Sequence, residues 1–236
     1  MIPILIAASF SLGFFVESIV GFGAGLVAYA ILSFFMDNIK QMILAGLYIG
    51  TLSSLAIALS DLSSFKAKNF FPRLPFCIIG VIIGVLIFNK ISPHALALAF
   101  GILLIAIVVK MIFFDNYRFP IILRNKLLLI GGISQGMFGV GGPFIVAALQ
   151  SDFKNKSHIR TTLAVFFVLL NIIRLVQLQI SGGLDLLLLK QIWWSIIPIA
   201  ICIKLGHKVH LLISEEVFKK LMAVIILLSG IKFLLY

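Results

Sequence analysis

The chain is written as a series of apolar runs, most of them close to the length of about 20 residues that a helix needs to cross a bilayer. They cover roughly 2–36, 42–60, 74–88, 95–114, 127–149, 160–180, 191–205 and 217–236. Little is left over: of 236 residues, 62% are hydrophobic and 11% are charged, against about 25% charged in a soluble domain. This pattern predicts an all-α polytopic membrane protein, a single integral membrane domain over residues 1–236. No segment is long and polar enough to form a separate domain. The net charge of +11 does not indicate nucleic acid, because the basic residues sit in short loops between apolar runs, as the positive-inside rule requires. Cys77 and Cys202 both fall inside apolar runs and read as buried small hydrophobes. The N-terminus lacks a basic leader and a small-residue cleavage site, so its apolar run reads as part of the mature protein.

Two runs are not simple spans. Residues 2–36 are too many for one crossing at 1.5 Å per residue, and Gly21-Phe22-Gly23-Ala24-Gly25 interrupts them. The expected arrangement is two helices, near 2–20 and 24–36, forming a hairpin or a re-entrant pair. Residues 127–149 are broken likewise by Gly139-Val140-Gly141-Gly142-Pro143-Phe144, just after Ser134 and Gln135. Glycine costs about 1 kcal/mol in a helix interior relative to alanine, and proline removes a donor. A helix broken inside lipid must satisfy its freed backbone groups with protein, water or ligand.

The two breaks look like copies. Gly13, Glu17 and the first glycine cluster align with Gly131, Gln135 and the second, and later in each half Gly84, Ile91-Ser92 and Lys110 align with Gly206, Ile213-Ser214 and Lys232. Several anchors in one order argue for duplication, with repeats 1–114 and 126–236 joined by a cytoplasmic linker, 115–125. If each broken pair enters and returns, the basic loops 61–73, 115–126, 150–160 and 204–220 share one face. The loops 37–41, 89–94 and 181–190, with one lysine each, and both termini then lie on the non-cytoplasmic face. Each half makes an odd number of crossings, so the repeats are inverted, an architecture that recurs in secondary transporters.

The helix restarting after each break has N–H groups without intrahelical partners and the positive end of its dipole there. Glycines leave such groups uncovered, which suits an anion; two of these ends entering from opposite faces would converge on one site. The competing role for the glycines is close helix packing. Glu17, well inside the first run, must be protonated or partnered; it is either a proton-coupling group or a packing hydrogen bond. Arg174, one turn after Asn171 on the same helix face, would neutralise an anion, pair with Glu17 or snorkel. Ser134 and Gln135 would complete the anion's hydrogen bonds. Thr51, Ser53 and Ser54 read as hydroxyls bonding back to their own helix. Lys154, Lys156, His158 and Arg160 form a loop that sets orientation or gathers anions at the mouth. Trp193 and Trp194 suit an interfacial belt.

The chain resembles the TauE/SafE family of membrane proteins, exporters of sulfite, sulfoacetate and related small anions. The resemblance rests on Gly21-Phe22-Gly23-Ala24-Gly25, on Gly136-Met137-Phe138-Gly139-Val140-Gly141-Gly142-Pro143 and on Arg160-Thr161-Thr162-Leu163, and it covers essentially the whole chain. Pro143, where the family often has a third glycine, and Ala24 depart from the pattern. The resemblance implies a sulfur-containing anion.

Enzyme chemistry finds no support. Gly132-Ile133-Ser134-Gln135-Gly136 formally matches a nucleophile elbow, but that device needs a strand–turn–helix, and the histidines 94, 158, 207 and 210 all lie outside the expected spans. No metal-ligand spacing, P-loop or dinucleotide fingerprint is present, so no metal or cofactor is expected. The expected protein is a secondary transporter of a small anion across the cytoplasmic membrane, working by alternating access, with Gly21, Phe22, Gly23, Ala24, Gly25, Ser134, Gln135, Gly139, Val140, Gly141, Gly142, Pro143, Phe144, Asn171 and Arg174 at the substrate and Glu17 coupling protons. Its partners are that anion and the lipid bilayer, not nucleic acid, and homo-oligomerisation is compatible with this architecture. An anion channel and a non-transporting scaffold or assembly subunit are the alternatives.

Overall fold

A computed structural model describes residues 2–20, 23–65, 67–113, 120–149, 152, 156–209 and 215–235. These residues are helical, with short 3-10 turns and no strand among them. The first run forms α1 (Ile2–Val20) and α2 (Ala24–Leu32). α2 stops earlier than its expected end at residue 36, because the chain turns at residues 33–35. There follow α3 (Ile39–Ser60), a short α4 (Ala67–Phe70), α5 (Leu74–Lys90) and α6 (Pro93–Phe113). Pro93 opens α6, the first-turn position where its missing N–H is no loss. In the second half come α7 (Ile121–Phe138), α8 (Gly142–Leu149), α9 (Lys156–Ile180), α10 (Leu186–Ile192), α11 (Ile196–Val209) and α12 (Glu215–Leu234). α10 occupies part of the expected loop 181–190: the Asp185 carboxylate caps its first turn by accepting from Leu188 N–H at 2.9 Å.

Among the described residues, Ile39–Ser60, Pro93–Lys110, Thr161–Ile180 and Leu186–Gly206 are long and apolar enough to cross a membrane. α2 and α8 are not. With nine and eight residues they reach about 13 and 12 Å, less than half of a hydrocarbon core about 30 Å thick.

The chain folds as two compact units, each drawing on both halves of the sequence. One consists of residues 1–46, 91–117 and 185–236, the other of 47–90 and 118–184. In the first, α1 packs on α2 and α11, and α12 packs on α6 and α2. In the second, α5 packs on α7, α8 folds against α7 and α9, and α9 lies on α5. The α5–α7 contact is made by facing glycine pairs one turn apart. A Cβ on Gly80 would fall 2.8 Å from Gly132 Cα, and one on Gly84 would fall 2.9 Å from Gly136 Cα. The pairing advances in the same direction on both helices, so they run parallel and begin at the same face. In the first unit, a Cβ on Gly206 of α11 would meet Ser18 Oγ and lie 2.5 Å from Phe15 O of α1. The sequence offset that takes Gly13 to Gly131 also takes Phe15 to Ile133 and Ser18 to Gly136. Gly84 meets the Ile133 carbonyl and Gly136, so the aligned glycines Gly84 and Gly206 touch aligned partners.

In hydrocarbon there is no hydrophobic drive between helices, so such backbone approach is a main source of association. Gly84→Ala is therefore expected to destabilise the detergent-solubilised protein by about 1–3 kcal/mol, the usual cost of overpacking, and to lower its melting temperature. Gly50→Ala, whose Cβ would stand 3.9 Å from its nearest neighbour, Asn171 Nδ2, is the control expected not to lower melting.

Candidate functional site

The second break is built by side chains of the helix that precedes it. Gly139 ends α7 with φ 73°, a left-handed conformation that side chains resist, and its N–H bonds to the Gln135 carbonyl at 2.9 Å. The chain then turns back. Ser134 Oγ donates to the Val140 carbonyl at 2.7 Å, and the Gly141 N–H donates to Gln135 Oε1 at 2.8 Å. The other end of the Gln135 amide donates to Asn171 Oδ1 on α9 at 2.9 Å. Ser134, Gln135 and Asn171 are all buried, 4%, 4% and 3% exposed, where an unmet polar group costs about 1–3 kcal/mol.

The glycines here do different jobs. Gly139 supplies the turn. Gly141 allows close approach, since a Cβ there would meet the Gly131 carbonyl and stand 2.8 Å from Gln135 Cβ. Gly142 is required by neither: its φ is ordinary and a Cβ would sit 3.5 Å from Phe167 Cζ, a normal contact. It opens the first turn of α8 in a half-buried position. In that turn Pro143 has no N–H, and the Phe144 and Ile145 N–H groups turn onto the Gly141 carbonyl at 3.2 and 3.1 Å. The Gly142 N–H, first in the helix, has no intrahelical acceptor by position.

The first break repeats the device with a different side chain. Gly23 adopts φ 104°, and the half-buried Glu17 accepts from the Ala24 N–H at 2.8 Å through Oε2. A carboxylate at a helix N-terminus is favoured by the partial positive charge there. Gly13 and Gly131 both lie close against the chain after their break: a Cβ on Gly13 would meet the Ala24 carbonyl, and one on Gly131 would stand 2.8 Å from Ile145 Cγ1. Ala24 is buried, and Gly25 is half-buried in the first turn of α2. Gly21 and Phe22 lie outside the described residues.

Arg174 lies on α9 within the Thr161–Ile180 span and is 0% exposed. It follows Asn171 by three residues, which sets both on one face of the helix. The structure thus brings Ser134, Gln135, Gly139, Val140, Gly141 and Asn171 into one hydrogen-bonded assembly, with Gly142, Pro143 and Phe144 opening the helix beyond it and Arg174 on the Asn171 face. Glu17 is in the other unit, on the first break. Thr51 Oγ1 bonds back to the Leu47 carbonyl at 2.6 Å, as its sequence setting suggested. Cys77 and Cys202 are free thiols. Lys154 lies outside the described residues, and so do the side chains of Lys156 and Arg160. No group of three or more histidine, cysteine or carboxylate side chains placed to hold a metal occurs among the described residues. The sequence reading missed the Gly80–Gly84 pair, although its i, i+4 spacing opposite Gly132 and Gly136 was there to be matched.

Removing the Gln135 acceptor tests this construction. Gln135→Leu would leave the Gly141 N–H and Asn171 amide unmet and should cost about 1–3 kcal/mol in thermal or denaturant unfolding. Gln135→Leu combined with Asn171→Leu should cost clearly less than the sum of the two single changes, as expected of groups in one network.

The family model for the sulfite exporter TauE/SafE matches residues 5–233. A curated relative, the probable inner membrane transporter protein TsaS of Comamonas testosteroni, is 29% identical over 101 residues. That match covers 42% of this chain and 42% of the relative. No solved structure matches. The chain is a multi-pass membrane protein that belongs to the sulfite exporter TauE/SafE family, whose members are transporters and not enzymes.

Proposed function

We propose that the protein is a secondary transporter that moves a small anion, such as sulfite, sulfoacetate or a related organosulfur compound, across the cytoplasmic membrane by alternating access. The observation that carries this reading is Arg174. An arginine fully buried in an apolar span is costly, and an ionisable side chain at such a position marks a substrate or ion pathway. It shares a helix face with Asn171, which Gln135 ties to the break that precedes α8 and its first N–H, that of Gly142. A buried cation and an open helix N-terminus in one unit suit an oxyanion.

In this reading Arg174 and the α8 backbone from Gly139 to Phe144 hold the anion. Ser134, Gln135 and Asn171 act mainly by keeping the break in shape. The first break, with Gly21, Phe22, Gly23, Ala24 and Gly25, is the duplicated counterpart. The matching glycine contacts of α1–α11 and α5–α7 support a repeat, and the chemistry of secondary transporters favours its being inverted. The parallel run of α5 and α7 agrees with a shared face for loops 61–73 and 115–126, and the topology with both termini outside rests on the distribution of the basic residues.

Glu17 is the proposed coupling group. Its carboxylate accepts from the N–H of Ala24 at the first break. Protonation of Glu17 removes the negative charge held there, and in this reading that change couples the proton to the transport cycle. The structure of the duplicated position accords with this: Gln135 fills the same place without a titratable proton.

Flux of sulfite in proteoliposomes tests the proposal. The expected result is saturable uptake that responds to an imposed pH gradient, with Arg174→Gln lowering the rate roughly a hundredfold, as loss of a buried charge contact to the substrate implies. Glu17→Gln should abolish gradient-driven accumulation while leaving sulfite binding within a few-fold. Ohmic current without saturation would favour a channel, and no flux of any organosulfur anion or sulfite would favour a scaffold.

A further inference from the structure

At the end of α8 away from the break lies a charge cluster that anion binding does not use. It joins Arg73, just before α5, Arg124 in the first turn of α7, and Asp152, shortly beyond α8. Both guanidiniums reach the same carboxylate oxygen: Arg73 Nη2 lies 2.6 Å from Asp152 Oδ2, and Arg124 Nη2 donates to it as well. Arg124 Nε also donates to the Ala148 carbonyl, in the last turn of α8, at 2.6 Å. The three side chains are only 20%, 13% and 15% exposed.

The hairpin does not need these charges in order to form. The offset that relates the two breaks takes Ile6 to Arg124 and Phe34 to Asp152, and α2 packs on α1 without them. Largely buried ion pairs also contribute little net stability compared with apolar groups of similar size. What charge-assisted hydrogen bonds add is direction, where apolar contact is non-directional. α8 is a rod of eight residues. Ser134 and Gln135 fix its first turn, and the cluster fixes its last. With both ends held, the axis of α8 is set, and with it the direction in which the Gly142 N–H points.

We propose that Asp152 is a positioning residue: shared between Arg73 and Arg124, it clamps the far end of α8 and so aims the N-terminus of that helix at the anion. The inference rests on the anion reading of the α8 break. It also makes α8, unlike α2, a helix tied by charge to the starts of two neighbouring helices.

The full chain in proteoliposomes, with sulfite as the probe, tests it. Asp152→Asn is expected to raise the KM for sulfite roughly tenfold, a modest share of what a misplacement of about 1 Å can cost, with little change in maximal rate. Asp152→Glu should return KM to near the starting value. An unchanged KM in Asp152→Asn, or a lost maximal rate at unchanged KM, overturns the proposal. Arg73→Gln keeps the Arg124–Asp152 pair and should shift KM in the same sense, which covers a failure of Asp152→Asn to fold. Failure of both to fold makes the cluster a folding element and overturns the proposal too. A second readout needs no transport: the rate at which a thiol reagent labels Phe144→Cys in a Cys77→Ala, Cys202→Ala background. Asp152→Asn should change that rate several-fold, and an unchanged rate overturns the clamp. A changed rate in a protein that moves no sulfite would sink the anion reading alone.

Discussion

A broken helix inside hydrocarbon leaves backbone groups that water cannot reach, and the rest of this structure follows from how they are met. Gln135 meets one by accepting from Gly141, and Ser134 meets another by donating to Val140. Glu17 does the same for Ala24. Each side chain sits in the last turns of the helix before the break, so the helix that ends supplies the cap of the helix that begins. This is why a break so rich in glycine holds a defined shape. At the second break, Pro143 has no N–H and the Phe144 and Ile145 N–H groups turn onto the Gly141 carbonyl, which leaves the Gly142 N–H as the first of the helix.

The two breaks share a left-handed glycine and a cap drawn from the preceding helix, and they differ in the capping group. Glu17 and Gln135 occupy aligned positions and accept from the same part of the following helix. Only the carboxylate can change its charge, and only the amide can also donate, as Gln135 does to Asn171. The aligned positions thus carry caps of unlike chemistry: one holds a titratable carboxyl group, and the other is tied to α9, the helix that carries Arg174.

The legible part of the fold was what periodicity and length decide. The apolar runs and the two breaks could be read from the chain itself. Boundaries were looser where capping decides them: Asp185 starts α10 inside an expected loop, and residues 33–35 turn before the apolar run ends. In the site, residue identity was legible but role was not. Ser134 and Gln135 stood out as polar groups in an apolar run, yet nothing in the sequence says that both are spent on the chain's own backbone, since that depends on where Val140 and Gly141 return in space. The glycines show the same limit. Gly139, Gly141 and Gly142 are adjacent in sequence and alike in type, but φ, close approach and open space separate their purposes. Arg73, Arg124 and Asp152 are remote in sequence, and only the fold brings them together.

The paired glycines of α5 and α7 have a mechanical consequence. With no side chains between the two backbones, the helices can mate in one register. A slip of one turn in one direction would bring Phe76 against Gly132, and a slip in the other would bring Phe88 against Gly136, where there is room for a hydrogen atom and not for a ring. The pair cannot ratchet along its own axis. Any stroke that displaces the hairpin of α7 and α8 must carry α5 with it as freight.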